Sequence, residues 1–192
     1  MSGAIVKITD TTISQNRFTD RNNSRNLYNA NIITWHSRTY YQLYVFANGQ
    51  TYTSLSTMPQ LVSLDSITFQ HTNRFGTIDI DPVANFQDPA GIPNYYTFVQ
   101  FVNSKRLKNT YVFSDRLSDG KYISQQIFSD SSYIHIGDTV LLQMNCLDEG
   151  AYNYFNTLNQ VTGGNNFQSA SPSNPISNIS NNALGYFKRR SN

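Results

Sequence analysis

Hydrophobic and polar positions alternate with a period of two along much of this chain, the pattern of strands that bury one face. Residues 4–8 open on such an alternation, and it returns over 39–47 and 50–57. Asn48-Gly49 separates the last two runs. Both residues tolerate positive φ, so the pair predicts a tight hairpin. Residues 11–31 are polar and Asn-rich and read as loop. Met58-Pro59-Gln60 then breaks the strand pattern and places a boundary near Leu64. Beyond it, strands are expected at 66–70, 76–80, 95–102, 110–113, 122–128 and 139–145, punctuated by Asp88-Pro89, Asp119-Gly120 and Gly137-Asp138.

One segment changes period. Leu147, Ala151, Tyr154, Phe155, Leu158 and Val161 are spaced as an apolar stripe on a helix. The stripe predicts a helix over 148–162, with Asp148 as its cap and Gly163 as its stop. Its Tyr152, Tyr154 and Phe155 read as packing residues rather than a cofactor box. After a polar spacer, Pro172, Asn174 and Pro175 impose an extended path. Ile176, Ile179, Leu184, Tyr186 and Phe187 then restore hydrophobicity, and exposing all five would leave an aggregation-prone patch. The tail is therefore expected to dock on the second domain, with Ile179, Leu184 and Phe187 largely buried.

The fold class that follows is mainly β. Residues 1–64 read as a partial immunoglobulin-like or transthyretin-like sandwich. Residues 65–192 read as an antiparallel β-sandwich or barrel with one α-helix and a docked extended tail. An incomplete first sandwich should leave open strand edges beside 4–8 or the hairpin.

Composition narrows the classes. Charged residues are 14% of the 192, against roughly 25% in ordinary soluble domains, so Asn, Ser, Thr, Gln and Tyr must build the surface. The formal charge of +2 gives no electrostatic case for nucleic acid. Lys105-Arg106-Leu107-Lys108 and Lys188-Arg189-Arg190 are short enough to read as solvated loops or ends. No apolar run approaches the roughly 20 residues of a membrane helix.

Candidate chemistry is sparse. Cys146, the single cysteine, follows a strand and reads as a small buried hydrophobe. His36, His71 and His135 are scattered and form no recognisable pair with it. Asp79 and Asp81 fall on one face of a strand with Asp88 shortly after, which raises Ca²⁺ binding or acid–base work. The plainer reading of Asp79 and Asp81 is edge charge that discourages sheet association. The sequons at Asn22 and Asn178 are expected by chance in an Asn-rich chain. No phosphate loop, serine elbow or His/Cys metal spacing occurs, so no catalytic, cofactor or metal residue is nominated.

Aromatics line both faces of two strands. Tyr40, Gln42, Tyr44 and Phe46 share one face of the first and Tyr41, Leu43 and Val45 the other. In the second, Tyr96, Phe98 and Gln100 oppose Tyr95, Thr97, Val99 and Phe101. Core packing, a glycan or peptide platform and a protein interface are the three readings.

Several segments also resemble one family in order and spacing. They are Ser2-Gly3-Ala4-Ile5-Val6-Lys7-Ile8, Thr39-Tyr40-Tyr41-Gln42-Leu43-Tyr44-Val45 with its Thr57-Met58-Pro59 exit, and Phe86-Gln87-Asp88-Pro89 with Asn94-Tyr95-Tyr96. Ser114-Asp115-Arg116-Leu117 with Asp119-Gly120-Lys121, Gly137-Asp138-Thr139-Val140, and Ala183-Leu184-Gly185 complete the set. Asn181-Asn182 stands where a glycine is common, and Asn is the next most tolerant of left-handed backbone. The family is a set of Bacteroidota surface lipoproteins known as domain of unknown function four-two-four-nine, with genes beside those of TonB-dependent receptors.

The resemblance implies a location and a neighbourhood, and no activity. Met1 abuts the Ser2-Gly3-Ala4 segment, so the family's signal peptide and lipid-accepting cysteine are expected only in a longer form of the protein. The expected function is that of a non-enzymatic accessory or binding lipoprotein of the outer membrane or cell surface, working beside a TonB-dependent receptor in nutrient uptake. A cell-surface adhesion or structural module is the alternative. A receptor or other surface protein and a glycan or peptide are the expected partners, with no nucleic acid, and with membrane contact only through the lipid anchor.

Overall fold

The computed structural model describes residues 4–10, 16–19, 39–74, 76–128, 134–162 and 174–188. It divides into two compact units, Met1–Gln60 with Leu147–Ser191, and Leu61–Cys146 with Asn192. The class is mainly β with one helix, as the patterning predicts.

In the first unit, β1 (Ile5–Asp10), β2 (Asn16–Thr19), β3 (Tyr40–Ala47) and β4 (Gln50–Thr57) form one antiparallel sheet ordered β2-β1-β3-β4. β2 lies inside the stretch that polarity marks as loop. The hairpin is as expected: Ala47 pairs with Gln50 across Asn48 (φ 52°) and Gly49 (φ 75°), a turn open only to residues that accept left-handed backbone. β1 sits between β2 and β3, so it offers no open edge.

Helix α1 (Glu149–Thr162) follows. Asp148 caps it as expected, accepting the Ala151 N–H at 2.8 Å. Its other carboxylate oxygen accepts the Ser56 hydroxyl of β4, so one side chain both starts the helix and ties it to the sheet. Burial pushes the Asp148 carboxyl up, although Ser56, Ala151 and Thr57 all donate to it and Lys188 is nearby. The expected stop at Gly163 lies outside the described residues.

The tail corrects an expectation. It groups with the first unit, where Ile179 forms an antiparallel bridge with Ser54 on the outer edge of β4. The Ser180 N–H donates to the Thr53 carbonyl at 2.8 Å, and the Ser54 hydroxyl donates to the Asn178 carbonyl at 2.6 Å. Asn178 also closes a loop onto Phe187 through its amide, accepting at 2.8 Å and donating at 2.6 Å. Leu184 is 68% exposed and Ile176 is exposed as well. Of the three residues expected to be largely buried, Ile179 and Phe187 are half-buried and Leu184 is exposed; polar bonds and the Tyr186 ring contacts with Tyr154 and Phe155 hold this segment. Asn181 (φ 56°) and Asn182 (φ 54°) do adopt the left-handed backbone that their residue type permits.

In the second unit, β5 (Ser66–Arg74), β6 (Thr77–Gln87) and β9 (Tyr122–Gln126) form one sheet ordered β5-β6-β9. β7 (Tyr95–Val102), β8 (Lys105–Ser114) and β10 (Val140–Leu147) form the other, ordered β10-β7-β8. Ala84, Phe86 and Ile123 from the first meet Tyr96, Phe98, Leu142 and Cys146 from the second in one core. The Phe86 ring meets Tyr96 edge-on at 4.9 Å. Of the sandwich and barrel alternatives this is the sandwich, since neither sheet closes on itself among the described residues.

β6 runs on through Pro82 to Gln87, well past the expected end at Ile80. It is a central strand. That overturns the reading of Asp79 and Asp81 as solvent-facing edge charges: they are 3% and 0% exposed. Their one-face placement holds, since Asp79 faces Thr72 and Asp81 faces Gln70 across the β5 pairing.

Candidate functional site

Three of the family-like segments converge in the second unit. Asp88 directly follows β6, Asn94 precedes β7, and Asp115 and Asp119 lie in the turn after β8. Asp88, Asp115 and Asp119 bring carboxylate oxygens within 4.8 Å of one another. Among the described residues it is the one group of three or more His, Cys, Asp or Glu side chains that close. Asp88 and Asp115 are buried and Asp119 is exposed.

Each carboxylate already binds the opposite loop. Asp88 accepts the Tyr96 hydroxyl on Oδ1 and the Gly120 N–H on Oδ2 at 3.0 Å. Asp115 accepts the Asn94 N–H at 2.9 Å, and Asp119 accepts the Gly91 N–H at 2.9 Å. The Asp88 N–H returns a bond to the Lys121 carbonyl at 3.0 Å. Burial pushes the Asp115 carboxyl up, opposed by the Asn94 N–H and reinforced by the neighbouring Asp88. Burial and the Asp88 carboxylate likewise push the Tyr96 phenol up. The arrangement is a clamp that fixes two loops. Sequence reasoning named Asp88 but joined it to Asp79 and Asp81, whereas its partners lie some thirty positions downstream, across the β7–β8 hairpin.

The other expected residues fall elsewhere. Cys146 is buried, and its sulfur accepts the Val62 N–H at 3.3 Å. His71 and His135 line one small recess of about 200 Å³, with Asp138 beside them. The His135 ring lies 3.5 Å from Asp138, whose carboxyl is held low by the Asn103 amide and the His135 N–H. His36 lies outside the described residues. Lys105, Arg106 and Lys108 are exposed.

The two aromatic strands part company. β7 buries Tyr96, Thr97 and Phe98 in succession, so it is packed on both faces. β3 is different. Tyr40, Gln42, Tyr44 and Phe46 project from the open face of the first sheet, with Tyr40 57% exposed. The β3–β4 register places Leu55 opposite Gln42, Thr53 opposite Tyr44 and Thr51 opposite Phe46 on that same face. Leu55 is 62% exposed. Beside it lies an open groove of about 490 Å³, lined by Gln42, Thr53, Ser54, Leu55 and residues 177–180 of the tail. Rings for stacking thus adjoin hydroxyls and amides for hydrogen bonding, with no carboxylate among the groove's lining residues.

These features define a mainly β protein with a sandwich locked by a carboxylate clamp and a separate sheet that carries exposed rings. The chain belongs to the family described as Domain of unknown function (DUF4249), whose model matches residues 1–189. No curated protein and no solved structure matches it.

Proposed function

We propose that the chain is a non-enzymatic binding protein of the outer membrane, held there by a lipid anchor and working beside a TonB-dependent receptor in nutrient uptake. The observation that carries the binding role is the open face of β3 and β4. Tyr40, Tyr44 and Phe46 stand in a row there, next to the groove that Gln42, Thr53 and Leu55 line from the same face. A rigid sheet with spaced rings and adjoining hydroxyls suits a neutral glycan or an uncharged peptide, because each ring offers an apolar face and each hydroxyl both donates and accepts. The membrane location and the receptor are carried over from the resemblance of the sequence segments, and the family description itself assigns neither.

The non-enzymatic part rests on how the reactive groups are used. Hydrolysis needs a nucleophile or activated water, a base in reach and a stabilised leaving group. Cys146 is inside the core, and the clamp carboxylates hold backbone N–H groups and a phenol. The test is a paired panel of neutral oligosaccharides and short uncharged peptides, screened for binding and for turnover. Binding without turnover is expected. Turnover of any of them that Asp115→Asn abolishes in a folded protein would overturn the reading.

A further inference from the structure

We propose that a second copy of this chain pairs with the first along the free edge of β5, antiparallel about Gln70, to give a weak dimer with a continuous six-stranded sheet. Among the described residues, the edges of β2, β9, β4 and β8 are short, charged or covered, and that of β10 is flanked by buried side chains. β2 spans four residues and β9 five. The edge of β4 carries the Ile179 bridge. β8 exposes Lys105, Arg106 and Lys108 along its first half, a charge row that repels an incoming strand. β10 exposes Leu141 near its start but buries Asn145, Cys146 and Leu147 in succession at its end, so less of its length than of β5 is open to a partner strand.

β5 has none of these protections. It spans nine residues, lies outermost in the order β5-β6-β9, and pairs with β6 alone among the described residues. Ser66, Thr68, Phe69, Gln70, His71 and Asn73 are all exposed. No Pro, Lys, Asp or Glu occurs in SITFQHTNR, and its single charge, Arg74, is at the end. An uncharged extended edge of this length is a template for another strand.

The sequence of β5 says which strand fits. Laid antiparallel on itself about Gln70, it sets Thr68 against Thr72 and Phe69 against His71, with Gln70 opposite its own copy. Threonine pairs and aromatic pairs are favourable cross-strand neighbours, and no like charges meet. Apolar surface adjoins the edge as well. Phe69 is 48% exposed and Ile136 94% exposed, and both line the recess that holds His71. A twofold contact of this kind is closed and self-complementary, which is why it ends at a dimer. One strand edge and a small apolar lip make a modest interface, so association should depend on concentration.

Sedimentation equilibrium across a concentration series tests this with the intact chain and two variants, Gln70→Lys and Gln70→Glu. Gln70 is exposed, and unchanged circular dichroism and melting would establish that both variants fold. Either variant alone places like charges opposite each other at the twofold and should weaken self-association by about tenfold or more. Mixing the two should restore a heterodimer. A wild-type chain that stays monomeric at its highest soluble concentration would overturn the proposal. So would a dimer whose strength neither variant changes, since the contact would then lie elsewhere.

Discussion

Replacing Tyr96 by Phe removes one oxygen from the interior of the second unit and tests whether the carboxylate clamp stabilises it. The ring is fully buried against Phe86 at 4.9 Å and stacks near Phe113 at 6.2 Å, and all of that packing survives the change. The apolar contribution is therefore nearly constant. What disappears is the hydroxyl bond to Asp88 Oδ1, whose carboxylate is 1% exposed and keeps only the Gly120 N–H on its other oxygen. A buried hydrogen bond to a charged group contributes roughly 1.5–3 kcal/mol, and stranding the acceptor costs at least as much as the bond itself. Tyr96→Phe should thus destabilise the protein by about 1.5–3 kcal/mol, a drop of roughly 3–10 °C in melting temperature for a chain of this size. Urea unfolding of wild type, Tyr96→Phe, Asp88→Asn and the double variant completes a cycle, with a coupling of about 1 kcal/mol or more expected between directly bonded groups. A loss below about 0.5 kcal/mol, or a coupling near zero, would refute the clamp's contribution.

Three further outcomes follow from the same structure. Truncation after Ser173 should destabilise the first unit by several kcal/mol and lower its melting temperature, because it strips the Ile179 bridge, the Asn178 loop closure and the Tyr186 ring contacts at 4.6 and 4.8 Å; unchanged melting would show that the tail contributes nothing. Asp148 has a folded-state pKa above its ordinary value, so its proton is favoured by folding; the wild type should gain stability relative to Asp148→Asn as pH falls from neutral into the ordinary carboxylate range, and a gain on raising pH would contradict the burial argument. Gly120→Ala should cost clearly more than Gly49→Ala, since both glycines have positive φ but a Cβ at Gly120 would lie 2.6 Å from Ala90 Cβ whereas Gly49 faces open space; equal urea midpoints would refute it.

Local signals in the sequence were strong where turn chemistry and period coincide. Asn48-Gly49 fixed a hairpin, and Leu147 to Val161 fixed a helix with Asp148 at its cap, because both depend on neighbours a few positions apart. Misreadings arose where the deciding partner is remote. Nothing local reveals that Pro82 lies in a central strand, so Asp79 and Asp81 read as edge charges; β9, which pairs with Val83–Gln87 of the same strand and whose Gln126 amide donates to Asp81, begins some forty residues later. The Asn103-Ser104 turn, with φ of 49° and 66°, contains neither Gly nor Pro, so the sequence pattern starts the strand at Thr110 whereas β8 begins at Lys105. The clamp is half visible in the sequence: its segments each resemble the family's, but only the fold brings Asp88 to Asp115 and Asp119. The tail's placement was lost for the opposite reason, since its hydrophobicity suggested burial while Ser, Thr and Asn side chains actually hold it.

The binding role of the β3–β4 face is most directly tested by isothermal titration calorimetry of neutral oligosaccharides, followed by the best binder of that series, against wild type, Tyr44→Ser and Tyr96→Phe. Tyr44 projects from the open sheet, whereas Tyr96 is buried in the other unit, so the pair separates a surface contact from a general loss of stability. Saturable binding that Tyr44→Ser weakens by about tenfold or more, while Tyr96→Phe leaves it unchanged at a temperature where both are folded, is the predicted result. Affinity indifferent to Tyr44→Ser, or no saturable heat from any member of the series, would contradict the account.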